Sequence, residues 1–127
     1  MDKLKLGQTG VEVSALCLGA MYFGTRNDAK TSQAILDAYV EVGGSFIDTA
    51  NIYAFWVGGF RGGESETVLG EWMRARKNRP DLFIASKVGF AYDDVGMGLR
   101  ARQIEEECNK SLRRMNIETI DLYYAHV

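Results

Sequence analysis

The chain has 127 residues, 46% of them hydrophobic, enough length and apolar content to bury a core and too much to stay disordered. Its net charge of −2 and pI near 5.4, with basic residues spread along the chain, leave no electrostatic footprint for nucleic acid or an anionic membrane. No apolar run approaches the roughly 18 residues of a membrane span and no secretory leader is recognisable, so a cytoplasmic location is expected.

In chain order, Lys3 to Val13 has short alternating segments around Gly7-Gln8-Thr9-Gly10, turn chemistry that predicts a β-hairpin acting as a lid or plug before the main body. Four apolar runs of strand length follow: Leu16 to Ala20, Ser45 to Ile47, Leu82 to Ala85 and Ile120 to Ala125. Three stretches of helical period separate them. The first places Ile35, Ala38, Tyr39 and Val42 on one stripe, with Asn27 or Asp28 to cap its start and Gly43 to close it. In the second, Val68, Leu69, Trp72 and Met73 share a face, Glu64 and Glu66 lie early, and Arg74, Arg76 and Lys77 lie late, before Asn78-Arg79-Pro80. The third carries Ile104, Cys108, Leu112 and Met115, with Glu105 to Glu107 early and Arg113-Arg114 late. The two cysteines, Cys17 in an apolar run and Cys108 on this last stripe, lack metal-ligand spacing. They read as buried reduced thiols, and no metal site is expected.

Strand and helix alternating three times, closed by a fourth strand, predict an α/β fold with a parallel sheet. No linker interrupts residues 1–127, so no internal domain boundary is expected. An open dinucleotide-binding sheet would carry Gly-x-Gly-x-x-Gly after its first strand, whereas Gly19-Ala20-Met21-Tyr22-Phe23-Gly24 stands here. The run Gly58-Gly59-Phe60-Arg61-Gly62-Gly63 lacks the Lys-Ser/Thr of a phosphate loop and reads as a flexible lead into the second helix. A (β/α)8 barrel is the other parallel architecture.

Three of the strands end on an ionisable side chain: Ile47-Asp48, Ala85-Ser86-Lys87 and Ala125-His126. Tyr53 follows Asp48 by five residues, close enough to fold its phenol over the same face. Singly, these are a cap, an exposed strand end, a terminal histidine and a loop aromatic; together they mark the carboxyl ends of successive strands, where barrel active sites lie. Their chemistry also fits together. A phenol of pKa about 10 donates a proton near neutrality only if its pKa is lowered, and a neighbouring Lys⁺ does this by stabilising the phenolate. A carboxylate beside the lysine would hold it, and an imidazole could orient a carbonyl.

The segments Asp48-Thr49-Ala50-x-x-Tyr53, Gly62 to Glu66, Ile84-Ala85-Ser86-Lys87-Val88 and Ile120 to His126 resemble the signatures of aldo-keto reductases in order and spacing. Leu16 to Gly24 is similar to the family's first barrel strand and loop, and the ensemble resembles the bacterial reductases related to potassium-channel β subunits. The resemblance implies the N-terminal half of a (β/α)8 TIM barrel preceded by a β-hairpin, and NADPH-dependent reduction of an aldehyde or ketone. It implies Tyr53 as general acid, Lys87 lowering its pKa, Asp48 paired with Lys87, and His126 on the carbonyl oxygen. Gly19, Ala20, Met21 and Asp48 would lie at the cofactor; Tyr22, Phe55 and Trp56 would wall the substrate pocket.

A complete barrel usually needs about 250 residues, and this sequence stops just past its fourth strand. The family keeps most of its grip on NADPH in the other half. The isolated chain is therefore expected to lack turnover and either to self-associate or to pair with a C-terminal half; the alternative reading is a non-catalytic half-barrel, a structural remnant or binding subunit.

Overall fold

The computed structural model describes residues 1–126. The hairpin forms from β1 (Lys3–Lys5) and β2 (Glu12–Ser14), antiparallel with Leu4 opposite Val13. Its inner end is tied to the main body through Ser14, whose hydroxyl accepts from the backbone N–H groups of Ser45 and Phe46. Those residues begin a strand whose far end carries Asp48, so the hairpin plugs the amino ends of the strands and is not a lid over the ionisable cluster.

The four parallel strands β3 (Cys17–Gly19), β4 (Phe46–Asp48), β5 (Phe83–Val88) and β6 (Leu122–Ala125) lie side by side in chain order. Their register aligns Gly19 with Asp48, Asp48 with Ala85, and Lys87 with Tyr124. Because side chains alternate along a strand, Leu18, Ile47 and Ile84 project to one face. There they meet Leu36, Val68, Leu69, Trp72 and Met115 of the helices in one apolar core. Fully burying an aliphatic or aromatic side chain contributes about 1.5–3 kcal/mol, so this layer dominates the stability. Sequential strand order with all helices on one face is the winding of a barrel; a doubly wound sheet reverses its order and carries helices on both.

The helices are α1 (Ala29–Glu41), α2 (Glu64–Arg76) and α3 (Ala101–Met115). Asp28 caps α1 by accepting from the Thr31 N–H at 2.7 Å, and Gly43 follows its end at φ +87°. The stripe of α2 is buried as its period predicts. The stripe of α1 is not: Ala38 is exposed and Val42 is 58% exposed, while Ser32 and Leu36 are buried and Ile35, Tyr39 and Val40 pack beside them. The helix is rolled because the Tyr39 hydroxyl reaches under the sheet to the carbonyls of Leu16 and Phe46, each at 2.7 Å. On α3 the buried residues are Glu107, Ser111 and Met115, with Ile104, Cys108 and Leu112 only half-buried. The two helices approach at Gly70, where a Cβ would stand 2.6 Å from the Met115 carbonyl oxygen.

The thiols also differ from expectation. Cys17 is exposed and Cys108 half-buried, because Cys17 shares the parity of Gly19 and points away from the helix-covered core. Strand limits shift too: β4 extends to Asp48, and β5 runs on to Val88, which places Lys87 inside a strand. Among the described residues no helix is long and apolar enough to cross a membrane.

Candidate active site

On the face of the sheet away from the helices, Cys17, Gly19, Phe46, Asp48, Lys87, Tyr124, Ala125 and His126 line a hollow of about 530 Å³. Asp48 stands at the carboxyl end of β4. Lys87 lies two residues beyond Ala85, the register partner of Asp48, so both side chains point to the same face along a diagonal. Lys87 Nζ donates to Asp48 Oδ2 at 2.6 Å and to the Thr49 carbonyl at 2.9 Å. The loop after β4 returns Tyr53 over this pair: its hydroxyl donates to the same Asp48 Oδ2 at 2.8 Å, and Lys87 Nζ touches the phenol oxygen. Four of the sequence-derived candidates thus meet here, since His126, just past β6, stands with its ring 6.1 Å from that of Tyr53.

The electrostatics follow from that shared carboxylate oxygen. The Tyr53 phenol is pushed well above its ordinary range, by burial and then by the hydrogen bond it donates to Asp48. The Lys87 ammonium favours the phenolate, while burial and the hydrogen bond to Asp48 favour the protonated oxygen. Lys87 itself is lowered, by burial first, against the opposing pull of Asp48. His126 is lowered by burial and by the Lys87 charge, with Asp48 opposing, so its imidazole is neutral near pH 7. Its Nδ1 is buried without a hydrogen-bond partner among the described residues, and Phe90 packs edge-on against its ring at 4.9 Å. Phe90 was not singled out from sequence, because an exposed aromatic three residues after Lys87 carries no signal until His126 is placed beside it.

The other candidates lie apart from the hollow, except Gly19. At Gly19 a Cβ would meet nothing within 4 Å, so the floor of the hollow is open beside Asp48. Ala20 is fully buried in the helix-side core, its N–H donating to the Asp48 carbonyl and its own carbonyl accepting from Ser65. Met21 is 37% exposed, and Tyr22 is half-buried under the Arg26 guanidinium, 4.6 Å from its ring centre. Phe55 and Trp56 are exposed and pack edge-to-face on each other at 5.7 Å. Within the glycine-rich run Gly58 and Gly59 are exposed with nothing near them, whereas its later end is packed. Gly62 adopts φ +95° and lies so close to Tyr92 that a Cβ would stand 2.5 Å from the ring.

The profile of the aldo/keto reductase family matches residues 15–127. The chain belongs to that family. Norsolorinic acid reductase B of Aspergillus parasiticus is 38% identical over 91% of this chain and 32% of its own length. The NADP(+) aryl-alcohol dehydrogenase of Phanerodontia chrysosporium is 33% identical over 92% of the chain and 34% of its own. Among solved structures, the holo form of the aldo-keto reductase AKR11C1 from Bacillus halodurans superposes with a TM-score of 0.80 at 31% identity, covering 97% of this chain and 39% of that one. The chain therefore spans about a third of the length of the curated relatives it matches. With strands in sequential order and helices on one face, this member of the aldo/keto reductase family has the fold of the N-terminal half of a (β/α)8 barrel, preceded by a hairpin.

Proposed function

We propose that the chain supplies the acid-base side chains of an NADPH-dependent oxidoreductase that reduces an aldehyde or ketone to an alcohol. The observation that carries this reading is the single Asp48 Oδ2 that accepts from both Lys87 and Tyr53, with the His126 ring beside them. The hollow suits a flat nicotinamide: Gly19 leaves its floor open, and Asp48 and Lys87 furnish polar groups on one wall. Gly19, Met21 and Asp48 would hold the cofactor, which supplies a hydride when bound; Ala20, buried on the helix side with its N–H and carbonyl both engaged, would not touch it.

The remaining chemistry belongs to the chain. His126 would donate a ring N–H from its exposed side to the carbonyl oxygen and so orient it. Tyr53 donates its hydroxyl proton to that oxygen as negative charge develops there. Lys87 then stabilises the phenolate, and Asp48 keeps the ammonium in place. Phe55 and Trp56, exposed on the loop after Tyr53, together with Tyr22, would wall the substrate side.

Among the described residues the hollow is walled only by β3 to β6 and their loops, which favours association with a second copy or with a separate C-terminal half before turnover. We expect negligible NADPH oxidation by the chain alone. The open edges of β3 and β6 also favour a second reading, a non-catalytic half-barrel that assembles or binds without turnover. NADPH consumption with a reactive aldehyde, measured on the chain alone and after addition of a C-terminal half, separates the two. Turnover restored in the completed barrel and lost in Tyr53→Phe supports the enzyme; a completed barrel that binds NADPH without oxidising it supports the binding subunit.

A further inference from the structure

Glu107 is only 2% exposed on α3, and no step above uses it. Its Oε2 accepts from the side-chain amide of Asn51 at 3.0 Å and from the Tyr92 hydroxyl, and its Oε1 from Lys110 at 2.7 Å. A carboxylate in such a place is costly unless each oxygen is engaged, and here each is. Two of the three partners flank the loop that carries Tyr53. Asn51, 1% exposed, lies two residues before it; Tyr92 packs with Ala50, Ile52 and Tyr53 in a small apolar cluster separate from the main core. Gly62 closes the arrangement, since only a residue without Cβ leaves room for the Tyr92 ring. Tyr53 thus reaches Asp48 from a loop whose base is fastened to α3 through one buried carboxylate.

We propose that Glu107 is a positioning residue: through Asn51 and Tyr92 it holds the 50–57 loop so that the Tyr53 hydroxyl stays within hydrogen-bond reach of Asp48 and Lys87. This rests on the oxidoreductase reading only for its kinetic consequence; the loop geometry stands without it.

The test compares Glu107→Ala, Glu107→Gln and Tyr92→Phe in the protein, Tyr92→Phe removing one hydroxyl while keeping the ring that packs the cluster. Hydrogen exchange followed by mass spectrometry reads the amides of Phe55 and Val57, bonded to the Ile52 and Ala54 carbonyls, against Thr49, bonded across to Ala85. Loss of hydrogen bonds to a charged group is expected to speed exchange in the Tyr53 loop by roughly tenfold with strand amides unchanged, least in Glu107→Gln, whose amide oxygen still accepts. In the NADPH-oxidising protein, displacing Tyr53 is expected to lower kcat by about tenfold or more, with the KM for NADPH within about twofold. Unchanged loop exchange, or equal acceleration in loop and strands, overturns the proposal, as does a raised KM with unaltered kcat. If the parent protein oxidises no NADPH, the oxidoreductase reading fails while the exchange comparison still decides the positioning role.

Discussion

Lys87 and Asp48 are joined at 2.6 Å although they are not register partners: Asp48 pairs with Ala85, and the lysine reaches back from two residues farther along β5. Their side chains are 13% and 24% exposed, so the pair is shielded enough for its charges to matter. Lys87→Met leaves the carboxylate without its cation. We expect a loss of about 1–3 kcal/mol in urea unfolding, too little to abolish the fold. In the completed barrel we expect activity to fall while the apparent pKa of the phenol rises further. Unchanged activity with an unchanged pH profile would show that the pair plays no part in proton donation.

Tyr53→Phe keeps the ring in its cluster with Ala50, Ile52 and Tyr92 and removes only the hydroxyl. Circular dichroism should be unaltered, while carbonyl reduction by the completed protein drops by about 10²–10⁴, the usual contribution of a positioned general acid. Retention of more than a tenth of the parent rate would assign the proton to another group.

Gly70→Ala gains intrinsic helix propensity of up to about 1 kcal/mol, yet its methyl group would collide with the Met115 carbonyl where α2 meets α3. Overpacking of this kind costs about 1–3 kcal/mol, so a net lowering of the urea midpoint is expected. A raised midpoint would mean that the two helices part easily.

Glu107 carries a pH signature. Burial pushes its carboxyl upward, but the hydrogen bonds from Lys110, Tyr92 and Asn51 win and hold it below its ordinary value of 4.5. A carboxyl lowered in the folded state binds protons more readily when unfolded, so its stabilising contribution is complete above that ordinary value and is lost as pH falls through the folded one. The difference in thermal midpoint between the parent and Glu107→Gln should therefore shrink below about pH 4.5. A difference independent of pH would contradict the assignment.

Each outer strand of the four-stranded sheet, β3 and β6, is paired on one side, with Leu16 66% exposed next to β3 and Tyr124 40% exposed on β6. Unprotected apolar edges template further pairing. Sedimentation equilibrium at micromolar concentration should give a mass that rises with concentration above the 14.2 kDa monomer. A cooperatively folded monomer with no concentration dependence would refute this association.

The sequence by itself determined the α/β alternation, the buried face of α2, a cap for α1 at Asn27 or Asp28 and the membership of Asp48, Tyr53, Lys87 and His126 in one cluster. These are consequences of local periodicity, turn chemistry and position at strand ends, all readable within a few residues. Only the tertiary structure decided which face of α1 and α3 lies inside. The Tyr39 hydroxyl, at Leu16, and the Glu107 carboxylate, at Asn51, find partners far away in the chain, and such partners override apolar periodicity. The same holds for the phenol of Tyr53. Its neighbour Lys87 was legible, but the burial of the phenol and the sharing of one Asp48 oxygen by Lys87 and Tyr53, which together turn its pKa upward, depend on the diagonal between two strands and the return of a loop. Glu107 reads as a solvated helix charge until Asn51 and Tyr92 are folded against it, because satisfaction of a buried carboxylate is a property of three-dimensional neighbours and not of spacing along the chain.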